Sequence, residues 1–297
     1  MTRDPDPIGL YDPYLSAVSP KGDHGHFSGG YKIWPNGARV AQADVRLMCI
    51  GNSTSLWPDA AWSLELGKML TTPDRIVAVY NGAGKGNTSS QEVLRVLRDA
   101  PVIAPDLIVS LSGICDIGYL LNAKNYPFRH KYTRRAMDHL KEHGLVNDVV
   151  FGLPDPALPA EVWCRNQRMA RALAQETGSE ILTFLQPIQG YGAYPQTEAE
   201  RAFYDSKAKV VLKAADKPYG ECLRAFYEGV KDIMAAQPEA YRHIVDLTDA
   251  FDDCPGAYRD HRHQSPRGVT HLAKKILPHV QARLGAQNTG QQVDTQE

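Results

Sequence analysis

The sequence predicts an α/β fold on a five-stranded, doubly wound parallel sheet, and two observations carry that expectation. Five short runs, "VRLMCI" (45–50), "RIVAVY" (75–80), "DLIVSL" (106–111), "EILTFL" (180–185) and "RHIVDL" (242–247), are strand-length and mostly apolar, as parallel strands covered on both faces must be. Helical patterns lie between them, and strands alternating with helices wind a parallel sheet.

Taken in order, residues 1–44 ("DPYLSAVSPKGDHGHFSGGYKIWPNGARV" among them) are rich in proline, glycine and aromatics and follow neither period. They read as an irregular arm on the domain surface. Pro58 then opens a helix with Trp62, Leu66 and Met69 on one face. "TSSQEVLRVLRD" offers Ser89 and Glu92 as a capping box, with Val93, Leu94 and Leu97 behind it. A third helix spans 161–176. The last starts at Ser265 and Pro266, an N-cap followed by a first-turn proline, and carries Val269, Leu272, Ala273 and Ile276 on one face. The main domain is thus 45–284. Segments 119–160 (with Pro127, Pro154, Pro156 and Pro159) and 190–238 are too long for plain connections and read as insertions over the carboxyl ends of the strands. In such folds the ligand crevice lies there. The polar tail 285–297 reads as disordered.

With 33 basic and 34 acidic residues among 297, and no like-charge run beyond pairs such as Arg134 and Arg135, nothing suggests a phosphate-tracking surface. Nucleic acid is not an expected partner. Cys49, Cys115, Cys164, Cys222 and Cys254 are scattered, with no Cys-x-x-Cys pair, and read as reduced thiols. The N-terminal "MTRDPDPIGLYDPYL" lacks an apolar export core, and no stretch approaches the ~20 apolar residues of a membrane helix. The expected location is the cytoplasm, with no transmembrane segment and no cofactor.

The chemistry is sought where "LMCIGNSTSLWPD" ends the first strand in a glycine and three hydroxyls. Any strand must end in turn residues, but Ser53 follows this strand directly, at the crevice edge. A base is offered by "AYRDHRHQSPRGVTHLAKKI", where Asp260 precedes His263 by three residues in the loop after the fifth strand. A turn can bring that carboxylate onto the imidazole, fix its tautomer and stabilise the imidazolium formed when it takes a serine proton. The plainer reading makes Asp260 a helix-start carboxylate and His263 a surface histidine. A metal reading gathers Asp260, His261, His263 and His271. It is disfavoured because the His-x-His pair lies in a loop and His271 falls off the apolar stripe of the last helix, as a solvated residue. No metal is expected.

"IGNSTS", "NGAGKGNTSSQ", "LSGICDIG" and "YRDHRHQSPRG", in this order at the ends of successive strands, resemble the blocks of the SGNH, or GDSL-like, hydrolase superfamily over roughly residues 45–280. The resemblance implies a flavodoxin-like three-layer α/β/α sandwich and esterase or acyl-transfer chemistry on small acyl groups, often on carbohydrates. It makes Ser53 the nucleophile, Asp260 and His263 the rest of a triad, and the amides of Ser53 and Gly86 oxyanion donors. "FLQPIQGYG" and "DPYL" are similar to bacterial members associated with surface polysaccharides. The third block departs from the family's Gly-x-Asn-Asp, because Cys115 stands where an asparagine completes the oxyanion hole, and a thiol is a poor donor. Cys115 is also an alternative nucleophile, ranked below Ser53. Asp116 is expected to tie its loop together. The same cysteine favours the alternative of a degenerate member that binds a glycan or partner without turning it over.

Overall fold

The computed structural model describes residues 10–12, 16–18, 27–28, 30–35, 38–56, 60–121, 139–144 and 158–290. Near the N-terminus β1 (Leu10–Asp12) and β2 (Ser16–Val18) pair with each other. Then β3 (Phe27–Ser28) and β4 (Tyr31–Trp34) run antiparallel along the outer edge of the main sheet, followed by the short α1 (Ala38–Ala41).

The expected parallel strands follow as β5 (Val45–Gly51), β6 (Val77–Asn81), β7 (Leu107–Ser112), β8 (Glu180–Leu185) and, after two strands of a separate hairpin, β11 (Ile244–Asp246). The sheet order is β11-β8-β7-β5-β6-β4-β3. The parallel part starts at β5, steps to β6, then crosses back over β5 to β7, β8 and β11. That reversal between β5 and β7 is the switch point where such sheets open a crevice.

Side-chain alternation divides β5 between two helical layers. Leu47 and Cys49 pack with α2 (Trp62–Leu70) and α8 (Pro266–Gly290), through Trp62, Leu66, Leu272 and Ile276. Met48 and Ile50 face α3 (Ser89–Ile103) and α5 (Pro159–Glu176), through Val96, Ala100, Ala170 and Ala174. A short helix, α4 (139–142), precedes α5. The second insertion holds α6 (Glu198–Ala208), the hairpin β9 (Val211–Leu212) and β10 (Lys217–Pro218), and α7 (Tyr219–Ala236), whose Phe226 and Tyr227 pack with Trp163 of α5. Of the first insertion, 122–138, 145–157 lie outside the described residues. No helix among the described residues is long and apolar enough to cross a membrane.

The structure departs from the sequence reading in three places. Part of the arm read as irregular is sheet: Tyr31 is buried, donates its hydroxyl to Asp99 of α3 and lies under the Arg95 guanidinium, 4.9 Å from the ring centroid. A four-residue strand is too short to show a period. The cap of α3 is Thr88 with Gln91, whose Oε1 accepts from the Thr88 amide at 2.8 Å, one residue before the expected Ser89 and Glu92. Those two turn inward instead, so the buried face of α3 carries Glu92, Arg95 and Asp99 beside Val96 and Ala100, while Leu97 is exposed. The cause lies on the sheet, where Ser110 donates to Glu92 at 2.8 Å. Last, α8 continues to Gly290, past the boundary expected at 284, and 291–297 lie outside the described residues.

Candidate active site

The strand β5 ends at Gly51, with φ +146, a conformation that only glycine adopts easily. Asn52 then caps a single 3-10 turn, Ser53–Ser55: its Oδ1 accepts from the Thr54 amide at 3.0 Å and its Nδ2 donates to Gln186 Oε1 at 2.7 Å. Ser55 Oγ accepts from Trp62 Nε1 at 2.9 Å, and the Ser55 carbonyl accepts from Asn81. Thr54 and Ser55 are buried, and Ser53 is the partly exposed one of the three hydroxyls.

Ser53 Oγ lies 2.8 Å from His263 Nε2, across 210 residues of sequence. His263 Nδ1 lies 2.7 Å from Asp260 Oδ2, and the other oxygen of Asp260 accepts from the amides of His263 at 2.8 Å and Arg262 at 2.9 Å. The loop is closed by Arg259 N to His263 O at 2.9 Å and pinned by Gln189 Nε2 on the Asp260 carbonyl. Burial opposes the charge of Asp260, but the His263 ring N–H and these two amides outweigh it and hold the carboxyl well below the usual range. An anion fixed at Nδ1 keeps Nε2 the bare, accepting nitrogen toward Ser53.

The loop with Gly86 is tied to the same strand end, since Gly84 N donates to the Gly51 carbonyl at 3.1 Å. Gly86 sits at φ +73, and among the described residues no backbone carbonyl takes the N–H of Gly86 or Ser53. Cys115 lies in the turn after β7 and is buried. Burial pushes its thiol up to about 12 despite the Arg262 guanidinium within hydrogen-bonding reach. At neutral pH it is a thiol, so it is poorly placed to act as a nucleophile. Asp116 does tie the loop together: it accepts from the Ser89 amide at 3.0 Å, from the Ser89 hydroxyl and from Tyr119. Burial raises its pKa to about 7.

The residues of the metal reading do not converge. His261 Nε2 accepts from Arg262 Nε at 2.9 Å, while His271 turns to Asp253 at 2.9 Å and the Ala250 carbonyl, packed rather than solvated. The described residues that could share an ion are elsewhere, at His139, Glu142 and His143, all exposed. Their i, i+3, i+4 spacing was available in the sequence. Gln186, which holds Asn52, and Arg262, Lys207 and Tyr219 beside the triad carry no sequence signal. Two surface hollows of about 410 Å3, by Met234, Tyr241 and Arg242 and by Tyr80, Val102 and Ile103, involve neither Ser53 nor His263.

No protein-family profile and no curated protein matches the sequence. Among solved structures, an acetylxylan esterase from Geobacillus stearothermophilus is 17% identical, with 80% of this chain and 94% of that one covered and a TM-score of 0.46. The acetyl xylan esterase AlAXEase is 14% identical, covering 80% and 100% at a TM-score of 0.46. A protein described as a GDSL-like lipase from Parabacteroides merdae is 16% identical, covering 78% and 93% at a TM-score of 0.46. These likenesses are remote, and the chemistry of the chain is read from its own residues: a serine, a histidine and an aspartate joined in one hydrogen-bonded line at the switch point of a parallel sheet.

Proposed function

We propose that the chain is a serine hydrolase that cleaves short acyl esters, O-acetyl groups on carbohydrates among them, or transfers their acyl group to another hydroxyl. The observation that carries this reading is the line from Ser53 Oγ through His263 to Asp260, at 2.8 and 2.7 Å. Ser53 attacks the ester carbonyl while His263 Nε2 takes its proton, and Asp260 stabilises the imidazolium. The Ser53 and Gly86 amides hold the oxyanion. His263 then protonates the leaving alcohol as the carbonyl re-forms and the C–O bond breaks, leaving an acyl-Ser53 ester. Water or an acceptor alcohol, deprotonated by His263, attacks this ester and releases Ser53.

A fluorophosphonate probe tests the nucleophile. Mass spectrometry is expected to find it on Ser53, with no adduct on Ser55 or Cys115, because only a base-activated hydroxyl reacts readily. Absence of labelling, with no turnover of aryl acetates, would favour the second reading, a binding protein, to which Cys115 in the third donor position points.

Cys115→Asn is expected to raise kcat about tenfold with little change in KM, because a donor at this position bonds fully only in the tetrahedral state. Steady-state kinetics on an aryl acetate checks this. A fall in kcat with a rise in KM would mean that the pocket has closed around the smaller thiol.

A further inference from the structure

Beside the triad the structure gathers positive charge that no carboxylate among the described residues matches. Arg262 stands between Asp260 and His263 in the chain, and its Nε is 2.9 Å from His261 Nε2. The His261 ring meets the edge of Tyr219 at 6.3 Å, and Lys207 of α6 lies 5.2 Å from the centroid of the same Tyr219 ring. Three elements, the triad loop, α6 and the start of α7, thus converge on one phenol.

Neither cation has a carboxylate partner among the described residues. Asp260, the acid in the same loop, spends both oxygens on His263 and on backbone amides. Burial, and then the charge of Arg262, lowers the pKa of Lys207; burial followed by Arg262 likewise holds His261 neutral, near 4. Two cations that depress one another's neighbours in a part-buried site lose free energy that an arriving anion would return.

The phenol adds an independent sign. Tyr219 is 6% exposed, yet among the described residues its hydroxyl has no hydrogen-bond partner. A buried donor left unpaired is costly, and an acceptor arriving on a substrate would satisfy it. Tyr219 and Cys115 belong to one buried cluster, and the charge of Arg262 bears on both.

Building on the hydrolase reading above, we propose that Arg262, Lys207 and the Tyr219 hydroxyl form a subsite for a carboxylate carried by the ester substrate. Arg262 offers a planar fork, Lys207 a point charge and Tyr219 a single O–H, a set suited to a carboxylate held beside the reacting ester. The acid can sit on the acyl group, as in a dicarboxylic half-ester, or on the alcohol, as in an acetylated uronate.

Three esters separate these cases: 4-nitrophenyl acetate, mono-4-nitrophenyl succinate and 4-acetoxybenzoate. One of the two anionic esters is expected to exceed the neutral one in kcat/KM by about tenfold or more, an advantage that shrinks with added salt. Arg262→Met and Lys207→Met should each cut the anionic-to-neutral ratio about tenfold and Tyr219→Phe about threefold, with Arg262→Lys partly restoring it. Taking the ratio cancels any general loss in a damaged variant. Calorimetry of the Ser53→Ala chain with succinate and benzoate reads the subsite without turnover, and binding is expected to weaken in the Lys207→Met background. Ester turnover with no preference for charge, and no binding of either acid, would overturn the subsite and leave the hydrolase reading standing. Acid binding that depends on Lys207 in a chain with no ester turnover would uphold the subsite and overturn the hydrolase.

Discussion

Ser53→Ala is expected to lower kcat/KM on any ester the chain hydrolyses by about 10⁴-fold or more, with its melting temperature unchanged. Ser53 is partly exposed, its hydroxyl bonded to His263, and its removal opens no core cavity. His263→Ala should cost as much, and Ser53→Ala with His263→Ala no more than either alone, because a nucleophile without its base and a base without its nucleophile are equally idle. Asp260→Asn is the sharper case. Its Oδ1 can still accept the amides of Arg262 and His263, so the loop keeps its shape. The new NH₂ now faces His263 Nδ1 and can only donate, which puts the ring proton on Nε2 and leaves Ser53 without an acceptor. A loss of about 10²- to 10⁴-fold, in kcat more than in KM, is expected. Kinetics beside thermal melts would decide, and wild-type rates in all three variants would put the chemistry elsewhere.

Gly51→Ala should be strongly destabilising. At φ +146 an L-residue is strained, and the added Cβ would stand 2.6 Å from the Leu111 carbonyl oxygen on β7 and 2.9 Å from Ser55 Oγ. The first contact is backbone and cannot step aside, so β5 and β7 must part at the switch point, two residues before the proposed nucleophile. Strain and displacement together are expected to cost about 3 kcal/mol or more. Gly256→Ala is the control. Gly256 also has a positive φ, +77, but nothing lies within 4 Å of its Cβ position, and a penalty of roughly 1 kcal/mol from strain alone is expected. Urea unfolding of both variants measures the gap, and equal costs would refute the steric account.

What the sequence made legible follows from how each signal is encoded. The five parallel strands were readable because burial on both faces leaves them mostly apolar, and β5 reads as "VRLMCIG". The turn joining Asp260 to His263 was readable because it is local. The contact of Ser53 with His263 spans 210 residues, and it could be anticipated only by setting both at the carboxyl ends of strands. The inward face of α3 was not readable. Glu92, Arg95 and Asp99 look like a solvated stripe until Ser110 and Tyr31 arrive from other elements to satisfy them. Lys207 and Tyr219 were silent for the same reason, since what sets them apart is a cation without a carboxylate and a hydroxyl without a hydrogen bond among the described residues, and that is visible only in space.

The antiparallel pairing of β4 with β6 also bears on what the edge of the sheet offers to another chain. A sheet's rim is a row of unspent amides and carbonyls that any extended chain can join. Here one rim is β3, with two residues, and the other is β11, with three. Neither offers a template long enough to seed strand addition. Behind β4 stands β6, "VAVYN", mostly buried and well suited to such addition. The segment Tyr31–Trp34, stitched to α3 through Tyr31 and Asp99, therefore serves as a selvedge. A chain begun after residue 35 would unpick it and expose five residues of ready β-edge to its neighbours.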